Sequence, residues 1–590
     1  MRGKRGKRAR PALRCMALAL LSAGLLNPAL AQPDAGQILN QQQRAQPRPV
    51  ERLPQKEATP EQLQRPAPGA VKVLIRAIHI RTDPALATQA ELQAQVADAI
   101  GQEFDYDGLQ LIAQRITGYL RARGYALAYA YLPAQSLDGG VLEIAIQPGR
   151  MDGKADGGGI VVHAEGARIK PEIIRDMVAT AVLRAGEGLP LHTGALERGL
   201  LLVNDLPGIV ARAALEPGTA AGTSRVLVRA EEGPLLGASV SVDNQGNRYS
   251  GKWRGNAQFY LNDPLHIGDQ ASLSLAHASG LNQVSLAYQL PVGSDGRQLG
   301  ALVNLMNYRI GQELVSLDAR GTITSARLSA SQALVRTRER SLWASLAYEH
   351  KRLQDETLGV PVHDKRVDAL NLGVNANLQD ALGGAGVSSL GMTLVLGKLD
   401  LSGVAEDLGA DRQSAHTDGR YTKASLNLAR LQRITERLSL HATVSAQFAG
   451  RNLDSSEKFI LGGPSGVRAY PGGEGSGDTG WVSSLELRYD LPGWSGSAGS
   501  LQLVGFADTG QVTLHRNPWV GSVTNAGNAN SYGLSGAGFG VNMSTRAGLS
   551  LRTTLARTLG DNPGWSATTD QNTEGRTDRW QFWVQIAAAF

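Results

Sequence analysis

Beyond residue 234 apolar side chains occupy every second position in segments of about ten residues, and Asn, Gln, Ser, Arg and Thr fill the positions between. Trp253, Gly255, Ala257, Phe259 and Leu261 form one series, and Val284, Leu286, Tyr288 and Leu290 another. Leu342, Ala344, Leu346 and Tyr348 repeat the pattern, as do Leu438, Leu440, Ala442, Val444, Ala446 and Phe448. The chain ends the same way, with Trp580, Phe582, Val584, Ile586, Ala588 and Phe590 on one face. A period of two is that of a strand with one apolar face. No later segment supplies the run of about 18 apolar residues that a membrane helix needs. If this region crosses a membrane, it must therefore do so as a closed antiparallel β-barrel, the strand architecture that leaves no backbone group unpaired in lipid. Residues 237–590 number 354, which at roughly 22 per strand and connection predicts about 16 strands and a lumen wide enough for water.

A soluble sandwich also alternates, and the N-terminus helps to decide against it. Residues 1–14 carry seven cations and no acid, residues 16–26 are apolar, and Ala29-Leu30-Ala31 offers a small-residue cleavage site. This is the pattern of a secretory signal peptide over residues 1–31, cut after Ala31. Its loss takes the formal charge from +6 to −1 and removes the single Cys, Cys15. The basic excess is thus a targeting device rather than a nucleic-acid surface, and a disulfide framework or Cys-based metal site is excluded.

Residues 32–46 contain a polar helix, and residues 47–70 are a Pro-rich tether, so the helix is free to dock away from its sequence neighbours. Residues 71–150 then read β-α-α-β-β. Val73-Leu74-Ile75, Ile78 and Ile80 form a strand; Leu92, Val96 and Ile100 mark one helix; Leu109, Ile112, Ile116 and Leu120 mark a second that stops at Gly124. Strands follow at residues 125–132 and 141–147, joined through Asp138-Gly139-Gly140. The order repeats over residues 158–232, so two tandem α+β units precede the barrel.

Residues 462–480 are rich in glycine and contain a formal G-x-G-x-x-G, but the strand-like stretch that follows removes the helix a dinucleotide site needs. Inside this segment Val467, Ala469 and Tyr470 bracket one charge, Arg468. If Arg468 enters a lumen it needs carboxylate partners. Parity supplies candidates. With Leu485, Leu487 and Tyr489 facing lipid, Glu486 and Arg488 face inward; with Leu501, Leu503 and Ala507 outward, Phe506 and Asp508 face inward. No metalloprotease, P-loop or nucleophile-elbow motif is present, and the ten His residues show no metal-ligand spacing. The sequence therefore predicts a protein that is not an enzyme, with no cofactor and no metal.

Taken together these residues resemble the outer-membrane transporters of two-partner secretion, the TpsB proteins of the ShlB/FhaC/HecB type. The most specific stretch is Gly466-Val467-Arg468-Ala469-Tyr470-Pro471 with Gly477-Asp478, where Ala469 stands in place of the more usual Gly. Asn204-Asp205-Leu206-Pro207-Gly208, Leu215-Glu216-Pro217-Gly218, Val242-Asp243-Asn244-Gln245-Gly246, Asn262-Asp263-Pro264-Leu265 and Gly268-Asp269-Gln270 are similar to the family as well. The resemblance implies that the two α+β units are POTRA domains in the periplasm of a Gram-negative bacterium and that loop 462–480 folds into the lumen. It also implies that Arg468 pairs there with Asp508, with Glu486 as second candidate, and that the N-terminal helix, with Ile38, Leu39 and Gln42, plugs the barrel. Phe590 is expected to be a signal to the barrel-assembly machinery. The implied partner is a large secreted exoprotein of adhesin or haemolysin type, alongside outer-membrane lipid. An insertase of other barrels and a passive porin or receptor are the alternatives.

Overall fold

A computed structural model describes residues 33–44, 72–137, 139–153, 159–184, 190–220, 223–492 and 499–590. The expected signal peptide with Ala31, the tether and Asp138 of the hairpin signal lie outside these residues. The C-terminal region is a closed antiparallel barrel of 16 strands in sequence order. These are β1 (Leu236–Asp243), β2 (Arg254–Asn262), β3 (Gln270–Ala278), β4 (Leu281–Val292), β5 (Arg297–Arg309), β6 (Arg320–Arg336), β7 (Arg340–Thr357) and β8 (Val360–Asp380). They continue as β9 (Ala385–Asp400), β10 (Gly419–Arg433), β11 (Leu438–Ala449), β12 (Thr479–Asp490), β13 (Gly499–Thr513), β14 (Ser531–Thr545), β15 (Leu549–Leu559) and β16 (Trp580–Ala589). Both the closed barrel and its strand number agree with the alternation. β1 closes on β16 from Ser239↔Ala589 to Asp243↔Gln585. Beyond that ladder, Phe590 N–H donates to the Ala238 carbonyl at 2.8 Å and Ala238 N–H returns a bond at 3.2 Å.

The first N-terminal unit places Ala77–Arg81 parallel to Val141–Gln147, with Tyr129–Tyr131 antiparallel at the edge. Helices Gln89–Ala94 and Tyr106–Ala122 cover one face and bury Leu92, Leu109, Ile112, Ile116 and Leu120. The first helix is shorter than its apolar spacing suggests. A capping box at Thr88 and Glu91 starts it, but after Ala94 the chain tightens into a 3-10 turn at Ala97–Ala99 and Ile100 is left exposed. The strand expected over 125–132 pairs only from Tyr129 to Tyr131, because Tyr125 and Ala128 are tied into the turn that leaves the helix at Gly124.

The second unit repeats the plan. Ile160–His163 lies parallel to Thr223–Glu232, which pairs antiparallel with Ile209–Pro217, and helices Pro171–Arg184 and Thr193–Asn204 pack on them. Arg150–Met151 also joins this sheet, so it begins at the residue where the sequence reading ends the first unit. The second unit is bolted to the barrel turns. Arg336 holds Asp205 through two bonds of 2.7 and 2.8 Å; Asp295 takes Arg198 at 3.3 Å and also Arg184. These contacts place the turns of the β4–β5 and β6–β7 hairpins at the end of the barrel that faces the α+β units.

Helix α1 (Ala35–Arg44) lies inside the barrel, not beside the units that follow it in sequence. Its apolar side meets Met306, Tyr308, Ile323, Leu353, Val367 and Leu399, inward residues of β5 to β9. A lumen wall is ordinarily polar. Here part of it is apolar, which gives Ile38 and Leu39, each 2% exposed, a surface on which to bury roughly 2 kcal/mol apiece.

Candidate functional site: a helix and a loop in the lumen

The segment between β11 and β12 runs back into the barrel. Phe459–Ile460 pairs with Ser476–Gly477 to make a two-stranded stalk. At its tip the chain reverses through Gly463 N–H to the Tyr470 carbonyl (3.1 Å), Gly466 N–H to the Gly463 carbonyl (3.0 Å) and Tyr470 N–H to the Val467 carbonyl (3.1 Å). Val467, Ala469 and Tyr470 are buried in a cluster with Phe506, Leu534 and Ala556 of the inner wall. Small residues on β14 make this approach possible: a Cβ on Gly536 would stand 2.5 Å from that of Ala469, and one on Gly538 would meet the Phe506 ring at 2.7 Å. Gly473, at φ +97°, turns the chain where α1 passes, with Gln41 close to where its Cβ would be.

Arg468 reaches the wall of β12 and β13. Its Nε and one terminal nitrogen donate to Asp508 at 2.9 and 2.7 Å, its backbone N–H adds a third bond at 3.0 Å, and its other terminal nitrogen donates to Glu486 at 2.6 Å. Ser484 Oγ accepts at 2.8 Å, and the guanidinium carbon sits 3.5 Å from the centre of the Phe506 ring. The Asp508 side chain is wholly buried, so this charge is satisfied only while Arg468 is in place. Glu486 is shared with Arg488 at 2.7 Å, and His441 stands 3.5 Å away. The Trp583 indole N–H donates to the Arg468 carbonyl at 2.8 Å, tying the tip to β16. At the base, burial pushes the Glu474 carboxyl above its ordinary value, against donors from Asn562 and Thr573 that favour its charged form.

The sequence-predicted helix residues lie at the other end of the same assembly. Gln42 accepts from Arg254 at 2.7 Å, and Arg254 is held by Asp243 at 2.9 Å, both charges buried. Asp34 caps the first turn through Gln37 N–H at 2.9 Å and takes Lys365 at 2.9 Å and Ser455 at 2.6 Å. Ala35 N–H donates to Asp355 at 3.0 Å. Arg44 donates to the Ile460 carbonyl at 2.6 Å and lies 4.6 Å over the Phe459 ring, while its own carbonyl accepts from Ser465 at 2.8 Å. Asn40 donates to the Lys458 carbonyl at 2.6 Å. The helix therefore grips both the wall and the stalk that carries Arg468.

Sequence reasoning missed the charges that support this platform. Glu457 is paired with Lys351 and Lys423, each at 2.8 Å, and Asp454 with Lys365 at 2.8 Å. Inward parity on β7, β8 and β10 was the available signal for the three lysines. Two histidines join these pairs as well: His363 meets Asp407 at 2.8 Å, and His441 belongs to the Glu486 network.

A family model described as haemolysin secretion/activation protein ShlB/FhaC/HecB matches residues 222–543, and one for the ShlB-type POTRA domain matches residues 73–149. The chain is similar to the heme/hemopexin transporter protein HuxB of Haemophilus influenzae, 24% identical over 506 residues covering 85% of this chain and 84% of the relative. It is also similar to the outer membrane transporter CdiB of Escherichia coli, 25% identical over 422 residues covering 68% and 67%. Among solved structures, CdiB from Escherichia coli aligns over the whole of both chains with a TM-score of 0.67 at 21% identity, and CdiB from Acinetobacter baumannii does so with 0.60 at 18%.

Proposed function

This chain belongs to the ShlB/FhaC/HecB family and is an outer-membrane transporter that secretes a partner exoprotein, and from that premise we propose how its parts divide the work. Residues 1–31 direct the chain to the envelope, and the tether at 47–70 lets α1 reach the lumen. The two α+β units, in the periplasm, capture the unfolded secretion domain of an adhesin- or haemolysin-type exoprotein. Capture works by β-augmentation, an extended segment adding to an open sheet edge. The observation that supports this role is the edge strand Ile209–Pro217, paired on one side only in the described sheet, with Val210 and Leu215 half exposed.

The observation that carries the conduit reading is the shared grip of α1 and loop 462–480 inside a 16-stranded barrel. Departure of the helix opens the path; Arg468 keeps the loop ordered against the wall as the substrate passes. Folding of the exoprotein outside supplies the drive. The test compares exoprotein in the medium, the abundance of other barrels and small-solute permeability with and without this protein. Loss of exoprotein alone supports the proposal; loss of other barrels with normal export refutes it. Val210→Asp with Leu215→Asp should lower export while the barrel assembles normally.

A further inference from the structure

Three side chains able to hold a metal ion meet at the start of α1. One carboxylate oxygen of Asp34, one of Asp355 and a ring nitrogen of His363 all lie within 4.8 Å of one another. Asp34 is the residue before α1, Asp355 lies on β7 and His363 on β8, so one group comes from the helix and two from the wall. Residues so far apart in sequence give no ligand spacing to read.

Asp355 is only 5% exposed, and its two oxygens are served unequally. Oδ1 accepts from the Ala35 N–H at 3.0 Å and from the Tyr308 hydroxyl, whereas Oδ2 is buried with no hydrogen-bond partner among the described residues. A buried carboxylate oxygen left in this way is costly unless a cation meets it. The local charge runs in the same direction. Asp34, Asp355, Asp407 and Asp454 are set against one ammonium, Lys365, which is engaged with Asp34 at 2.9 Å and Asp454 at 2.8 Å. His363 has the carboxylate partner that metal-bound imidazoles have: its Nδ1 stands 2.8 Å from Asp407 Oδ2, which leaves Nε2 for an ion. A cleft lined by Tyr308, Asp355, His363 and Val404 offers a way in.

We propose that Asp34, Asp355 and His363 bind a divalent cation of the zinc type, with Asp355 contributing its unpaired Oδ2, and that this ion staples α1 to the barrel wall. Two carboxylates and an imidazole, with no thiol, suit Zn²⁺, whose bonds to such ligands are about 2.0–2.2 Å and which can take a fourth ligand from water. Side-chain rotations of about an ångström bring the three groups into that range. Lys365 then stays on Asp454. Because the site is whole only while α1 is inside, the ion stabilises the plugged barrel, and its removal favours release of the helix. That coupling rests on the reading that α1 closes the pore; the binding does not.

The experiment uses the full-length protein in detergent, freed of any purification tag and stripped with EDTA. Zn²⁺ is titrated by calorimetry, and conductance is recorded in planar bilayers with Zn²⁺ or with EDTA. One equivalent should bind. Asp34→Asn, Asp355→Asn and His363→Gln should each lower the affinity at least about tenfold, and Asp407→Asn about tenfold. His350→Gln, which alters an imidazole paired with Asp368 on the outer face, should leave it unchanged. Zn²⁺ should lower wild-type conductance and EDTA raise it, with neither effect in Asp34→Asn. Heat-modifiable migration on gels confirms that each barrel is folded; should Asp355→Asn fail to assemble, His363→Gln is read instead. No saturable binding of Zn²⁺, or wild-type affinity in folded His363→Gln, would overturn the proposal. Wild-type affinity in Asp34→Asn would refute the staple, since the wall alone would then hold the ion. Binding with a conductance indifferent to Zn²⁺ would support the site and count against α1 as the plug.

Discussion

Arg468 meets Asp508 three times, through Nε, one terminal nitrogen and its own backbone N–H, although 40 residues separate them in sequence. The Asp508 side chain has no exposed surface, so the loop tip and the wall of β13 are each incomplete without the other.

Replacing Arg468 with Ala therefore leaves a buried carboxylate without its cation, a cost of about 3–5 kcal/mol when one partner of such a pair is removed. The loop should leave the wall while the barrel itself, held by its ladders, still assembles. Expected outcomes are export reduced by at least about tenfold and new protease cleavage within residues 462–480, both measured on protein whose gel mobility is that of a folded barrel. Normal export with an uncleaved loop would remove Arg468 from its anchoring role.

Gly36 sits where α1 presses on the lumen loop: a Cβ there would stand 2.2 Å from Ser455 Oγ and 2.6 Å from the Ser456 nitrogen. Backbone cannot yield by that much in a closely packed site. Gly36→Leu should expel the helix and raise conductance in planar bilayers to the level reached on deleting residues 34–44. An unchanged conductance in both variants would show that the helix does not close the pore.

Burial would raise the Glu457 carboxyl, yet the Lys351 and Lys423 ammoniums beside it hold it down at about 2. A carboxyl depressed in the folded state stabilises above its unfolded value of 4.5 and loses that contribution as the pH falls from there toward 2. Glu457 should thus hold its lysines unchanged from pH 8 to pH 5, and wild-type conductance should be flat in that window. Glu457→Gln leaves two buried ammoniums short of charge and should release the platform, read as conductance raised at pH 7.

Removing Phe590 deletes the two hydrogen bonds to Ala238 that finish the β1–β16 seam. Each is worth about 0.5–1.5 kcal/mol. The seam ladder is shorter than that between β15 and β16, so its end matters more. The amount of folded barrel in membranes should fall about fivefold, through slower closure and loss to proteolysis. Retention of the wild-type amount would mean that the seam closes without its last residue.

Much of the lumen site was legible because a strand's parity is binary. Once Leu485, Leu487 and Leu503 are assigned to lipid, Glu486 and Asp508 can only face inward, and a lone Arg468 between apolar residues points to them. The same logic, applied to β7, β8 and β10, would have put Lys351, Lys365 and Lys423 inside, but their partners Asp454 and Glu457 lie on an irregular segment that has no period to read. Local helix spacing erred for a related reason: Ile100 continues the apolar rhythm of Leu92 and Val96, but the backbone had already turned at Ala97.

By itself the sequence determined the inward and outward faces of the clearly alternating strands, the number of strands, the two repeated α+β units and the family motif, since these depend on period and composition, which are properties of neighbouring residues. The tertiary structure alone decided that α1 lies on an apolar patch of the lumen and that it grips the stalk carrying Arg468. Those relationships join residues tens to hundreds apart, and their positions follow from strand register and loop reversal, which arise only when the barrel closes.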